Sequence, residues 1–257
     1  GTIPLLGINS DPITESDMDC KKKTDERRSH GALCMCTSRN MADGIAKILG
    51  GGGKIEERAR IQCTVKSTFS ETKLVPALND LLIANPSPAS VSRFRMGWLD
   101  DVDTSQNPDP AGTSRPLSSF WERATVQYSQ YGTITRFGGK AYDMRNSLNV
   151  WSSGIWVSTH TGSTAAIAAA GGMPMNDNSK ELQYLIREHM IEKTSDGKLA
   201  KGMDKGFFNE NEQMHLRWNS QKGKIFVDGP HMTHDLELGD EIMINPKAPP
   251  LLLYVRD

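Results

Sequence analysis

Between Ser152 and Met175 the chain reads SSGIWVSTHTGSTAAIAAAGGMPM. Gly154–Thr159 has the apolar character of a strand, and His160–Ser163 forms a turn that contains a glycine. Thr164–Ala170 is alanine-rich and is stopped by Gly171-Gly172, which predicts a helix. A strand, a hydroxyl-rich turn and a helix start would bring backbone N–H groups and the positive helix end to one point. That geometry binds phosphate or another anion. Thr161, Ser163 and Thr164 would add hydroxyls, and Gly162 would let a ligand come close to the backbone. Ser and Thr are also ordinary N-caps, and glycine is an ordinary helix stop, so spacing alone leaves both readings open.

Two further polar groups interrupt apolar runs. Asn79-Asp80 sits inside Leu78–Ile83, where burying an amide and a carboxylate without partners is costly. Such a pair either bonds its own backbone or offers acceptors to the hydroxyls of a ligand. Asp228-Gly229 ends the run Lys224–Gly229, KIFVDG, and by itself is a hairpin signal. His160 lies in the hydroxyl-rich turn, where it could meet a phosphate, and His231 and His234 flank a short strand. No Ser–His–Asp or Cys–His arrangement assembles from these spacings. Cys34-Met35-Cys36 with His30 lacks a second ligand pair at zinc-like spacing, so buried thiols are the better reading.

The elements that must hold these residues are mostly strands. Ile3–Ile8 is a short apolar strand closed by Asn9-Ser10-Asp11-Pro12, and Ser38–Leu49 has helical spacing ended by Gly50–Gly53. Ala59–Ser67 alternates, with Ile61, Cys63 and Val65 on one face. Leu78–Ala84, Gly154–Thr159, Met214–Asn219, Lys224–Val227, Met232–Leu236, Glu241–Ile244 and Leu251–Val255 follow as strands. Short strands punctuated by Gly, Asp and Pro predict a sheet-rich sandwich rather than a doubly wound parallel sheet. Ser16–Ser29 and Asp196–Asn211 read as charged loops. Asp100–Ser118 reads as an insertion that extends to about Val150, with Trp121, Tyr128 and Tyr131 able to dock it.

Composition excludes several classes. A formal net charge of -1 gives no electrostatic case for nucleic acid or an acidic membrane surface. No apolar run is long enough to span a bilayer, and GTIPLLGINSDP lacks the zones of a secretory signal. Four cysteines, Cys20, Cys34, Cys36 and Cys63, point to an intracellular, reducing compartment, with cytosol, mitochondrion and peroxisome left open.

Taken in order, these pieces resemble the ATP-NAD kinase family. The family's PLLGIN strand is similar to Pro4–Asn9, its Asn-Glu/Asp motif to Asn79-Asp80 in ALNDLLIA, and its TGSTA turn to Thr161–Ala165. Its AGG stop is similar to Ala170–Gly172 and its late Asp-Gly to Asp228-Gly229. Ser152-Ser153-Gly154, where many members carry aspartate before glycine, and Ala166, where they carry tyrosine, are similar to the plant NADH kinase branch.

The resemblance implies a mainly β (α+β) fold: a β-sandwich-like dinucleotide-binding domain with a remnant strand of a small αβ domain. It places the remnant at residues 1–12 and the β-rich domain at 13–257, with a loop insertion at about 100–150. It implies transfer of the ATP γ-phosphoryl group to the 2′-hydroxyl of the adenosine ribose of NADH or NAD, giving NADPH or NADP. NAD(H) and ATP would be substrates, and Mg²⁺ the counter-ion of ATP, with no residue here identified to bind it. Asn79, Asp80, Thr161, Gly162, Ser163, Thr164, Ala165 and Asp228 would line the dinucleotide site. No catalytic residue is assigned, because the family's catalytic GGDG is not in these 257 residues and is expected just before Gly1. The partners implied are the dinucleotide and either a homo-oligomer, such as a homodimer, or the missing domain. The alternative is a non-catalytic dinucleotide-binding or structural subunit of a larger assembly.

Overall fold

A computed structural model describes residues 3–12, 33–101, 133–190 and 202–256. Outside them lie Ser16–Ser29, Cys20 and His30. The same holds for most of Asp100–Ser118 with Trp121, Tyr128 and Tyr131, and for the first part of Asp196–Asn211. In chain order the described strands begin with β1 (Leu5–Leu6), β2 (Ile8–Asn9) and β3 (Cys36–Thr37), then helix α1 (Met41–Leu49) and β4 (Lys54–Arg58). Next come β5 (Gln62–Lys66), β6 (Glu71–Lys73), β7 (Asp80–Ala84), β8 (Ser92–Asp101), β9 (Thr133–Phe137), β10 (Lys140–Ser152) and β11 (Gly154–Ser158). Helix α2 (Ala166–Ala169) precedes β12 (Leu182–Arg187), β13 (Lys205–Phe208) and β14 (Gln213–Trp218). The chain ends with β15 (Lys222–Val227), β16 (Met232–Glu237), β17 (Glu241–Asn245) and β18 (Leu251–Val255).

The chain divides into two compact units, residues 1–58 with 249–257, and residues 59–248. The unit that holds Ile3–Ile8 therefore extends to Arg58 and recruits the C-terminal strand. Ile3–Ile8 itself is two short strands broken at Gly7, where a Cβ would stand 2.2 Å from the Leu33 carbonyl oxygen. The first strand is paired: β1 runs parallel to β18, which pairs antiparallel with β4, and β2 runs parallel to β3. Helix α1 starts at Met41 rather than Ser38, and Met41, Ile45 and Leu49, at helical spacing, are all exposed.

The larger unit is built from two sheets. The seven-stranded sheet has the order β6-β5-β17-β14-β8-β10-β9, and the six-stranded sheet β13-β12-β11-β7-β15-β16. All the pairings in both are antiparallel, as short alternating strands favour. One apolar cluster joins their inner faces. Cys63 and Val65 of β5, Phe94 and Met96 of β8 and Leu216 of β14 come from one sheet, and Leu81, Ile83, Val157 and Ile225 from the other. Trp218 stacks on Phe94 at 6.1 Å, and Trp98 meets Phe208 edge-on at 5.2 Å. The protein is mainly β, a sandwich with little helix.

Residues 133–150, read from sequence as part of a loop insertion, form β9 and most of β10 and pair into the seven-stranded sheet. The sheet also curls. β9 lies at one edge, yet Thr135 hydrogen-bonds Glu241 on β17, and the Gly138 N–H donates to Glu71 on β6 at 2.9 Å. Phe137, Tyr142, Met144 and Leu99 fill the curl as a second apolar cluster.

Candidate functional site

The singled-out residues converge because of strand order. β7 lies between β11 and β15 and runs antiparallel to both, so its first residue, Asp80, stands beside their last residues. Asp80 is paired with Ser158 at the end of β11, and Leu81 with Val227 at the end of β15. The Asn79-Asp80 pair, the turn after β11 and the Asp228 hairpin after β15 therefore meet at one end of three neighbouring strands.

The turn is clamped onto Asn79. The Thr159 N–H donates to the Asn79 carbonyl at 2.9 Å, and the Thr159 hydroxyl donates to the Leu78 carbonyl at 2.5 Å. The Ser158 hydroxyl reaches the Asn79 carbonyl at 3.2 Å. A Cβ on Gly162 would lie 2.2 Å from that same oxygen. Glycine at 162 thus serves contact between two backbone segments of the protein. Inside the turn, the Ser163 N–H donates to the His160 carbonyl and the Ala165 N–H to the Gly162 carbonyl.

Two expectations about the turn are corrected. The helix expected over Thr164–Ala170 is the single turn α2, Ala166–Ala169, entered at Ala165 without a side-chain cap. Successive turn bonds from His160 to Ala165 use the residues that would have begun it, so the argument from a helix dipole lapses. Ser163 is fully buried: its hydroxyl donates to the His160 carbonyl at 2.7 Å and accepts the Met175 N–H at 3.0 Å. It ties the turn to the following loop. Thr164 and Ala165 are exposed, and Thr161 is half-buried with its hydroxyl 3.3 Å from His160 Nε2.

The acidic groups divide sharply. Both Asp228 oxygens are committed, accepting the N–H groups of Leu78 (2.8 Å), Asn79 (2.7 Å) and Asp80 (3.1 Å). Asp80 is buried, at 7% exposure, and neither its carboxylate nor the Asn79 side chain has a hydrogen-bond partner among the described residues. Burial, and after it the negative charge of Asp228, pushes the Asp80 carboxyl up to about 6. Asn79 and Asp80 are thus uncommitted polar side chains of this cluster among the described residues.

Sequence reasoning passed over Thr159 and Gln183. Gln183, on β12 opposite Ser158, holds Met173 by both amide ends at 3.1 Å and fixes the loop after α2. No motif marks either residue, because their partners are backbone atoms brought in by the fold. Elsewhere, Cys34, Cys36 and Cys63 are free thiols, and burial pushes Cys63 up to about 12. Among the described residues no cluster of three His, Cys, Asp or Glu could hold a metal, and no helix is long and apolar enough to cross a membrane.

No family model matches the chain. A probable NADH kinase of Oryza sativa subsp. japonica is 32% identical over 249 residues, covering 96% of the chain, and an NADH kinase of Arabidopsis thaliana is 32% identical over 255 residues, covering 99%. The chain belongs to the NAD kinase family. Within that family it stands with the plant NADH kinases, and it spans 62% and 66% of the length of these two relatives. Solved structures place the fold there too. Yeast NADH kinase complexed with NADH superposes with a TM-score of 0.60 at 14% identity, over 88% of this chain and 52% of that one. An NAD kinase from Archaeoglobus fulgidus in complex with ATP gives 0.54 at 14% identity, over 88% and 65%. The mainly β architecture of the NAD kinase fold is therefore the architecture of this chain.

Proposed function

We propose that the chain is the dinucleotide-binding part of an NAD(H) kinase, which passes the γ-phosphoryl group of ATP to the adenosine ribose 2′-hydroxyl of NADH or NAD. One observation carries the reading. The fold gathers Asn79-Asp80 and the Thr159–Ala165 turn at one strand end and leaves there a buried carboxylate and an amide without partners among the described residues. Ribose hydroxyls are donors matched to both, and a neutral diol does not demand the cationic surroundings that a bare phosphate would. Thr161 and Thr164, on the accessible side of the turn, are placed for further polar contacts, and Ala165 for close approach. The names of the plant relatives and of the NADH-complexed yeast structure supply the substrate class. ATP would enter with its Mg²⁺ as the second substrate, and phosphoryl transfer then depends chiefly on holding the 2′-hydroxyl in line with it.

The smaller unit belongs in this reading to the family's αβ domain. Its exposed Leu5, Met41, Ile45, Leu49 and Ile55 support completion by further polypeptide, whether in the same chain or in a homo-oligomer. The second reading is a non-catalytic dinucleotide-binding subunit, which would use the same Asn79-Asp80 strand end to hold the ligand. Calorimetric titration with NADH and NAD, followed by an assay with ATP and Mg²⁺, separates the two. Binding with formation of NADPH once a GGDG-bearing segment is supplied establishes the kinase, binding without turnover under that condition establishes the subunit, and no binding overturns both.

A further inference from the structure

We propose that Asp228 is the positioning residue of this site, fixing the Asn79-Asp80 segment from the opposite hairpin so that both side chains are held for the hydroxyl groups of a ligand. The proposal rests on the dinucleotide reading above and adds a residue role to it. Three consecutive N–H groups, of Leu78, Asn79 and Asp80, converge on one carboxylate that is 148 to 150 residues away in sequence. The Asp228 N–H returns a bond to the Asp80 carbonyl at 3.0 Å, so the two segments are locked in both directions. Backbone donors just before a strand need partners when they are covered, and here a single side chain supplies all three.

The residue type also argues for anchoring. Asp228 has a φ of 49°, a left-handed conformation that glycine and asparagine adopt more readily than most residues. Asparagine would suit the turn but has one acceptor oxygen, and its NH₂ would face the Leu78 N–H that Oδ2 now receives. Only a carboxylate satisfies all three donors. Its charge has a second effect, because it stands near the Asp80 carboxylate, which receives no donor among the described residues. Among the described residues the charged group that acts on Asp80 is Asp228 on the hairpin, and the uncharged Ser158 stands opposite it on β11.

The test uses the whole 257-residue chain with the substitutions Asp228→Asn and Asp228→Glu, and NADH as the probe between pH 5 and 8. NADH affinity in the parent falls as Asp80 takes up a proton, with a midpoint near the value of about 6. Asp228→Asn weakens NADH binding roughly tenfold or more and moves that midpoint to lower pH. Asp228→Glu, with its charge kept on a longer stem, weakens binding and leaves the midpoint in place. A role in stability alone would lower Tm and move no midpoint. Carbon-13 NMR of the Asp80 carboxyl in the ligand-free protein reads the same shift without NADH. Should the parent bind no NADH at any pH, the substrate reading fails, and the NMR titration still decides the role of Asp228. An Asp228→Asn variant that folds and keeps the parent midpoint, in either experiment, overturns the proposal.

Discussion

Two carboxylates in the same sandwich meet opposite fates. At the curl of the seven-stranded sheet, Glu241 accepts hydrogen bonds from Thr135 and from His215 Nε2 at 3.2 Å, and Lys66 lies 3.6 Å away. With Nε2 donating, His215 is buried against Phe137, and Lys66 caps that ring at 5.5 Å. The bond from His215 and then that from Thr135, with the charges of His215 and Lys66, outweigh burial and hold the Glu241 carboxyl down at about 2. At the end of the six-stranded sheet, Asp80 is buried with no donor among the described residues and is pushed up. The first carboxylate closes a structure; the second is left open, as a group awaiting a ligand would be.

Four substitutions probe that contrast, starting with the largest expected effect. Gly162→Val forces a side chain into the Asn79 carbonyl, so the turn must leave the strand end. We expect a loss of about 3 kcal/mol or more in urea unfolding, with NADH binding lost as well. Survival of both would show that the clamp is not needed.

Glu241→Gln follows. The native carboxylate stabilises the fold above its usual value of 4.5, and that contribution is lost as pH falls towards about 2. The variant should be roughly 2–3 kcal/mol less stable at pH 7 and nearly equal to the parent near pH 2, with NADH affinity unchanged while folded. Parallel stability curves for the two proteins across this window would remove the structural role.

Asp80→Asn should act with the opposite sign. An Asp carboxyl raised from 3.8 to about 6 costs the fold nothing while it is protonated in both states, and costs it progressively as pH rises from 3.8 to about 6, with the full cost present above that. The variant should gain about 1–2 kcal/mol at pH 7.5 and almost nothing at about pH 3. A loss at pH 7.5 would mean that the carboxylate has a structural partner. Thr164→Ala, on an exposed turn position, should change stability by less than about 0.5 kcal/mol and weaken NADH binding a few-fold.

Much of this arrangement was legible in sequence. Period-two runs such as Ile61, Cys63 and Val65 mark strands buried on one face, and the sandwich follows from them. The site residues could be named because Asn79-Asp80 breaks an apolar run and the turn after β11 is crowded with hydroxyls. Their division of labour could not be read. Ser163, Gly162 and Asp228 look like ligand contacts until the fold shows their partners to be backbone atoms of Met175, Asn79 and Leu78–Asp80. Residues 133–150 were hidden because their strands alternate only weakly and gain their partners from β8. The alternation of Phe94, Met96 and Trp98 in β8 was a period-two signal that the reading missed.

The central claim is that the open carboxylate at the strand end receives a ribose. Calorimetric titration of NADH into the parent and into Asp80→Asn at pH 7.5, with a thermal melt of each, tests it most directly. The account predicts roughly ten- to hundredfold weaker binding in the variant, with Tm equal to or above that of the parent. Equal affinity in the two proteins, or a parent that binds no NADH, would contradict it.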